Sequence, residues 1–151
     1  MFAKILYPTD FSDVSNKVID YIAALKDSGV KKIIVLHVID KRQFDCVEFG
    51  AANVGELPAQ FEEEYKKAIT NKANQQLAIV AKKITDMGIE VKVQLVTGIP
   101  FSEILKTEEE EAISAIIIGS HGKSNIKEMM LGSVSEKVIR KSKKPVIVIK
   151  R

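Results

Sequence analysis

The sequence predicts an α/β protein, a single-domain, open, parallel five-stranded sheet with helices on both faces. Short apolar runs alternate with amphipathic segments along the whole 151-residue chain, a pattern typical of parallel sheets covered by helices. Two runs, KIIVLHV at 32–38 and AIIIG at 115–119, are too continuously apolar to keep one face in water. Strands buried on both faces look like this, so we place both in the middle of the sheet.

The predicted elements follow the order β-α-β-α-β-α-β-α-β. Strands are predicted at 4–7, 32–38, 90–96, 115–119 and 146–150. The first helix, 13–28, carries an apolar stripe at three- and four-residue spacing and ends before Gly29, a residue that commonly terminates helices. Residues 40–57 form the one long irregular connection, and loops of that length are usually functional or mobile.

Three further helices are predicted at 58–87, 100–111 and 133–141. The helix at 100–111 begins with Pro100, and proline is favoured in the first turn of a helix. The acidic run 108–111 at its end is interpreted as a solvated helix terminus. The long helix at 58–87 has apolar residues every three or four positions, and we expect these to face the core: Phe61, Tyr65, Ile69, Ala73, Leu77, Val80 and Ile84. In the last one we expect Val134, Val138 and Ile139 to point inward.

Composition excludes several classes of protein. The net charge of +3, with no concentrated basic patch, argues against nucleic-acid binding. With Cys46 as the only cysteine, no internal disulfide can form. The N-terminus lacks the apolar core of a signal peptide, and no apolar run approaches the ~20 residues that span a bilayer. We therefore expect a cytoplasmic protein that binds neither nucleic acid nor membranes.

The segment IIIGSHGKS at 116–124 resembles a nucleotide-binding loop, but its spacing excludes two familiar kinds. A Walker A loop ending in Gly122-Lys123-Ser124 would need glycine at position 117, which is Ile117. The dinucleotide fingerprint also fails, because two residues separate Gly119 from Gly122.

A longer motif, Gly119-x2-Gly122-x9-Gly132-Ser133, runs from the end of a predicted strand to the start of a predicted helix. Ser133 stands three residues before Glu136, which is the capping-box pattern and predicts Ser133 as the N-cap. The free amides of that first turn would form an anion site. The alternative is that these glycines only shape a loop.

A second polar segment, Tyr7-Pro8-Thr9-Asp10, follows the first strand. If the sheet order is 3-2-1-4-5, Asp10 and Gly119 emerge at adjacent strand ends, the switch point where ligands of open α/β sheets bind. Asp10 would repel a polyphosphate unless a divalent cation or ribose hydroxyls lie between them. The alternative is that Asp10 is an Asx cap of the helix beginning near residue 13.

Three stretches together resemble the universal stress protein family, ATP-binding type: ILYPTDFS, VLHVID and GSHGKSNIKEMMLGSVSEKVI with KKPVIVIKR. The resemblance covers essentially the whole chain. It implies a Rossmann-like fold, similar to the adenine nucleotide alpha hydrolases, with ATP lying across the ends of the first and fourth strands. It further implies that Thr9 and Asp10 face the sugar and that the backbone around Val38 meets adenine.

The glycine motif would then hold the ribose and phosphates, with Lys123 as a secondary, more solvent-directed contact. The complete set of residues expected to bind nucleotide is Pro8, Thr9, Asp10, Val38, Ile118, Gly119, Ser120, His121, Gly122, Lys123, Gly132, Ser133, Val134 and Ser135.

Binding does not imply turnover. No Walker aspartate, kinase catalytic loop or arginine within either motif supplies phosphoryl-transfer machinery, so no catalytic residue is assigned. We favour an ATP-binding regulatory or stress-response module with slow or partner-dependent hydrolysis, in which Mg²⁺ or Mn²⁺ is bound through the phosphates. Such a function is compatible with an unidentified protein partner. A genuine ATPase or phosphotransferase is one alternative, and an assembly module with incidental nucleotide is another.

The last strand, PVIVIK at 145–150, is apolar and expected at a sheet edge, where an uncovered strand invites aggregation. Pairing with its own copy about a two-fold axis would cover it, and the resemblance also implies a homodimer. The predicted interface is Val146, Ile147, Val148 and Ile149.

Overall fold

The computed structural model describes residues 1–45, 59–122 and 131–151. One parallel sheet runs through it in the order β3-β2-β1-β4-β5. Its strands are β1 (Lys4–Pro8), β2 (Lys32–Asp40), β3 (Glu90–Gly98), β4 (Ala115–Gly119) and β5 (Val146–Ile149). The helices are α1 (Asp13–Leu25), α2 (Ala59–Asp86), α3 (Pro100–Glu110) and α4 (Ser133–Lys141). The predicted fold class and strand order are confirmed.

The core lies on both faces of the sheet. On one face, Val18 and Ile22 of α1 and Leu77 of α2 pack against strand residues such as Ile5 and Val35. On the other face, Ile104 of α3 and Val138 of α4 pack against Leu6, Leu36 and Ile116. We call these the α1/α2 face and the α3/α4 face. Every residue of β4 is buried, as its continuous apolar run predicts.

Some predicted core positions are wrong, and geometry explains the largest error. Phe61 and Tyr65 of α2 are 53% and 37% exposed, although Leu77, Val80 and Ile84 are buried as expected. With 28 residues, α2 is ~42 Å long, whereas the 9 residues of β2 span only ~30 Å. The first turns of α2 therefore extend beyond the sheet, and their apolar stripe does not reach the core.

The two ends of the α3/α4 layer also differ from expectation. Ile139, predicted to point inward, is exposed, because Val138 takes the core position on this short helix. Glu108, in the acidic run predicted to be solvated, is 3% exposed and accepts a 2.8 Å hydrogen bond from the Lys143 amide. Its carboxylate thus holds the connection between α4 and β5, while Glu109 forms an exposed ion pair with the Lys143 side chain.

The topology creates one switch point. β1 and β4 are parallel neighbours, with Ile5 opposite Ala115 and Leu6 opposite Ile116. After β1 the chain passes to α1 on one face, and after β4 it reaches α4 on the other. The two connections therefore diverge and leave a crevice at the carboxyl ends of these strands. Within the described residues, no helix is both long and apolar enough to cross a membrane.

Candidate functional site

A cavity of about 430 Å³ opens at this crevice, within the range of roughly 300–1,000 Å³ common for small-molecule sites. The β1–α1 turn, the ends of β2 and β4 and the first turn of α4 form most of its wall. Of the residues predicted to bind nucleotide, all but Ser120 and Lys123 line it. Lys123 lies outside the described residues, and Ser120 is buried directly behind the cavity wall.

The turn between β1 and α1 is held by its own polar side chains. Thr9 Oγ1 accepts hydrogen bonds from the Phe11 amide (3.0 Å) and from Ser15 Oγ (2.8 Å). Asp10 Oδ1 accepts one from the Ser12 amide (3.0 Å), which forms an Asx turn. Ser12, and not Asp10, is the N-cap of α1. Phe11 adopts a left-handed φ of 63°, so these bonds hold a backbone shape that a bulky residue rarely takes.

The second carboxylate oxygen of Asp10 faces the glycine loop. A Cβ atom added at Gly122 would lie 2.6 Å from Asp10 Oδ2, well inside van der Waals contact. Glycine at 122 thus allows the two segments to meet at the cavity wall. One oxygen of Asp10 thus shapes the local turn, although Asp10 is not the helix cap, while the other borders the cavity.

The first turn of α4 forms the opposite side of the site, and here the predicted capping box is wrong. Gly132 is the N-cap, with extended backbone and no side-chain cap bond, and Ser133 is already the first helical residue. The Gly132 amide donates to Ser120 O at 2.8 Å, and the N-cap lies one residue before the predicted one, while the helix begins at residue 133 as predicted. Glu136 pairs with Arg140 at 3.0 Å instead of accepting a hydrogen bond from the backbone amide of Ser133, as a capping box would require. The first-turn amides are therefore left without a side-chain acceptor, as an anion site requires.

The two halves of the glycine motif are joined directly. Ser135 Oγ donates a 2.7 Å hydrogen bond to Gly119 O, which ties the first turn of α4 to the end of β4. A Cβ atom at Gly132 would make ordinary contacts, 3.4 Å to Ser120 O and 3.6 Å to the Gly122 amide. Residues ten or more positions apart in the chain thus form one wall, as the motif predicts.

His121 is the buried ionisable side chain of this wall. It is 7% exposed, and its Nδ1 lies 2.7 Å from Ser120 Oγ, whose backbone amide donates to Ile149 O at 2.8 Å. Its Nε2 is shielded from solvent and has no hydrogen-bond partner among the described residues. A buried polar atom without a partner is costly, and a ligand that draws the imidazole toward it would supply one.

Comparison with known proteins identifies the family. The model of the universal stress protein family matches residues 1–150. The chain belongs to this family. It is 42% identical over 156 residues to Universal stress protein MJ0577 of Methanocaldococcus jannaschii, covering 100% of this chain and 96% of the relative. Universal stress protein YxiE of Bacillus subtilis is 31% identical over 150 residues, covering 99% of this chain and all of the relative.

Solved structures of universal stress proteins match as well. The MJ0577 structure matches with a TM-score of 0.86 at 43% identity, over 100% of this chain and 97% of that one. The universal stress protein from Archaeoglobus fulgidus in complex with dAMP matches with a TM-score of 0.65 at 22% identity, over 99% and 98%. At that lower identity the similarity establishes the fold.

The cavity of this universal stress protein also has a wall that the motifs do not reveal. His37, beside Val38 on β2, places Nδ1 2.7 Å from Thr9 O, and its ring centroid lies 4.4 Å from that of Phe11. Its position near the carboxyl end of β2 is a signal that could have identified it. Ile69 and Ala73 of α2 also line the cavity and belong to the predicted apolar stripe, whereas no local signal marks Lys72 and Gln76, which tertiary packing brings to the cavity.

A tyrosine supports the turn from below. The Tyr7 hydroxyl donates a 2.6 Å hydrogen bond to Ser15 O and lies 3.2 Å from Ser15 Oγ. Burial raises the pKa of the Tyr7 phenol above its ordinary value, so the phenol remains a neutral donor at physiological pH. β1 and α1 are thereby fixed to each other immediately behind the cavity wall.

Proposed function

We propose that the protein binds an adenine nucleotide, ATP, in this cavity and acts as a nucleotide-dependent regulatory or stress-response module. The main observation in support of this proposal concerns the adjacent ends of β1 and β4. One cavity there is bordered by the uncapped first turn of α4, by Gly122 and by the Asp10 carboxylate. The A. fulgidus family member in complex with dAMP supports the choice of an adenine nucleotide, because it has the same fold.

The chemistry of the walls suggests how the nucleotide lies. Apolar side chains of the α3/α4 face border the cavity at Leu36, Val38, Ile104 and Ile118, which suits a planar base. Thr9 and Asp10 offer oxygen acceptors to sugar hydroxyls. We place the phosphates at the backbone amides of α4, because phosphate oxygens only accept hydrogen bonds and amides donate them. The Ser135 hydroxyl is not available as a donor, since it already donates to Gly119 O. Lys123 keeps its proposed secondary contact with the phosphates.

A divalent cation would arrive with the phosphates. Among the described residues, no group of three or more histidine, cysteine, aspartate or glutamate side chains could hold a metal alone. Asp10 does place a carboxylate oxygen at the cavity wall. Oxygen donors of this kind fit Mg²⁺ or Mn²⁺, which usually bind one or two carboxylates together with substrate phosphates. The cation would offset the repulsion between Asp10 and the phosphates.

The same geometry favours binding over rapid turnover. His121 is a cavity-lining side chain able to accept a proton from water, and its hydrogen-bond partner among the described residues is the neutral Ser120 hydroxyl. A catalytic histidine that becomes positively charged usually has a carboxylate behind it. We therefore propose hydrolysis that is slow or dependent on a partner. The ATPase alternative would require that partner, or the cation, to complete the site.

The proposal extends to assembly, as a single-domain, cytoplasmic homodimer paired through β5. In the described structure β5 pairs with β4 alone, so its other edge is open. Val146, Ile147 and Val148 are half-buried, while the Ile149 side chain is buried in the core. The interface would therefore use the side chains of the other three residues, because the Ile149 side chain lies in the core and its C=O group faces β4, where it accepts from the Ser120 amide.

Denaturing the purified full-length protein and identifying any released nucleotide by mass spectrometry tests the central claim. We expect an adenine nucleotide, and we expect ATP at ~100 times its Kd to add ~2.7 kcal/mol to the free energy of unfolding. Bound ATP should remain intact during incubation. Steady turnover that Asp10→Ala or His121→Ala abolishes would favour the ATPase instead. Absence of both released nucleotide and any thermal shift with ATP or dAMP would refute nucleotide binding.

A further inference from the structure

A second, smaller cavity of about 50 Å³ adjoins the proposed nucleotide site. The two cavities share Pro100, Ser133 and Val134. We propose that the smaller one is a subsite for the terminal phosphate of a nucleoside triphosphate and that it distinguishes ATP from AMP. This inference rests on the proposed function. The smaller cavity is lined by Arg42, Ile99, Pro100, Phe101, Ser133, Val134 and Lys137.

Two helices direct their amino ends at this small cavity. α3 begins after Ile99, its N-cap, and like α4 it has no side-chain cap bond. Residues of both first turns, Phe101 of α3 and Val134 of α4 among them, line the cavity. The partial positive charges of two helix ends therefore add at one point, which favours an anion.

Two cationic side chains complete the wall. The Lys137 ammonium lies 4.8 Å from the centroid of the Phe101 ring, and within the described part of the chain it forms no ion pair. Arg42 is held by Asp40, with Nε 2.8 Å from Oδ1 and 3.0 Å from Oδ2 and a second bond from Nη2. These bonds use two of the five N–H groups of a guanidinium, so three remain for a phosphate.

Glu103 and Glu136 are the acidic residues in the first turns of α3 and α4, and Glu136 is paired with Arg140. Asp40 is the acidic group beside Arg42. Its hydrogen bonds with Arg42 lower the pKa of the Asp40 carboxyl, so the pair is ionised and together nearly neutral. Asp40 lines the larger cavity but not the smaller one, and no described carboxylate lines the smaller one. Lys137 and the two helix ends therefore leave the smaller cavity with an excess of positive charge.

The size of the smaller cavity fits one phosphate group. Its volume is several times the ~10–15 Å³ that a single water requires, but it is far too small for a sugar or a base. A nucleotide whose first phosphate lies at Ser133 would extend its chain past the shared residues into this space. AMP would end before reaching it, so Arg42 and Lys137 would affect ATP and not AMP.

Calorimetric titration of the full-length protein with ATP, AMP and tripolyphosphate tests the subsite. For Arg42→Gln and for Lys137→Gln we expect the Kd of ATP to rise about three- to fivefold, as for partly exposed ion pairs. The double variant should show about tenfold or more by addition. The Kd of AMP should change by less than about twofold. The matched control is Arg140→Gln, because Arg140 lies one turn beyond Glu136 on α4, pairs with it and lines neither cavity.

Each other outcome has a definite meaning. Equal losses of ATP and AMP affinity, or no loss for either, would refute the subsite while leaving nucleotide binding intact. If tripolyphosphate binds together with AMP and only its affinity depends on Arg42 and Lys137, the small cavity serves a free anion and the inference is wrong. If the wild-type protein binds neither ATP nor AMP, the proposed function itself fails.

Discussion

At the scale of single residues, Gly122 leaves no room for a side chain beside Asp10. In Gly122→Ala the new Cβ would lie 2.6 Å from Asp10 Oδ2, so the carboxylate must move away from the cavity wall. We expect nucleotide affinity to fall about tenfold or more, since one hydrogen bond of a charged group is worth ~1.5–3 kcal/mol. Titration with ATP measures the change, and the free energy of unfolding should change little because a side-chain end can move.

Gly98→Ala is the matched control for this variant. A Cβ there would lie 2.6 Å from Glu103 Oε1 and 2.7 Å from Glu103 Cγ, a contact with an acidic side chain that is at least as severe, but Gly98 does not line the cavity. We expect unchanged nucleotide affinity in Gly98→Ala. Equal loss of affinity in both variants would mean that general strain, and not the position of Asp10, controls binding.

How far the sequence predicts the site depends on how local each interaction is. The glycine spacing and Asp10 correctly indicated adjacent strand ends, because strand order and the switch point follow from general topology. The helix cap was wrong by one residue, since the bond from the Gly132 amide to Ser120 O joins segments that are distant in sequence. Arg42 and Lys72 carry no local pattern at all, and only packing brings them to the cavities.

At the scale of elements, the first turn of α4 is proposed to bind phosphate through its backbone, and this can be tested without breaking the helix. Ser133 is the first helical residue, where proline is well tolerated and lacks only an unpaired N–H. Gly132 precedes it with φ −61° and ψ 150°, a conformation compatible with a following proline. Ser133→Pro should therefore fold normally and bind ATP about tenfold more weakly, through loss of one charge-assisted hydrogen bond.

Ser133→Ala separates the amide from the hydroxyl. It keeps the N–H and removes the side-chain oxygen, so we expect ATP affinity close to that of the wild type. Circular dichroism should show the same helix content in both variants. If Ser133→Ala weakens binding as much as Ser133→Pro does, the hydroxyl is the contact and the amide proposal for α4 is wrong.

The predicted bounds of the strands are correct, whereas the predicted core positions at the start of α2 are wrong because the length of the helix relative to the sheet decides which residues are buried. The strands are correct within two residues at each end. The runs of β1, β2 and β4 are largely buried, whereas β3 has no buried residue. The stripe of α2 continues through Phe61 and Tyr65 with the same spacing as through Leu77 and Val80. Which part of it meets the sheet is set by the length of β2, and that information lies in another part of the chain.

At the scale of the whole molecule, the direction of the backbone groups decides which edge residues can pair with a second copy. The Ile116 amide donates to Pro145 O and the Ser120 amide to Ile149 O, so alternate residues of β5 face β4. Val146 and Val148 therefore point their N–H and C=O groups to the open edge. A two-fold dimer through β5 would use these groups. Proline at 148 removes one donor per copy and leaves the β4–β5 ladder intact.

We accordingly expect the wild-type protein to sediment as a dimer and Val148→Pro as a folded monomer. The opposite edge provides the control. The Glu90 amide donates to Lys31 O and the Lys41 amide to Gly98 O, so the backbone N–H and C=O groups of Val93 point to the open edge of β3. Val93 is 44% exposed. Val93→Pro should therefore remain dimeric. A folded, monomeric Val93→Pro beside a dimeric Val148→Pro would move the interface to β3, and a wild-type monomer at micromolar concentration would refute the dimer.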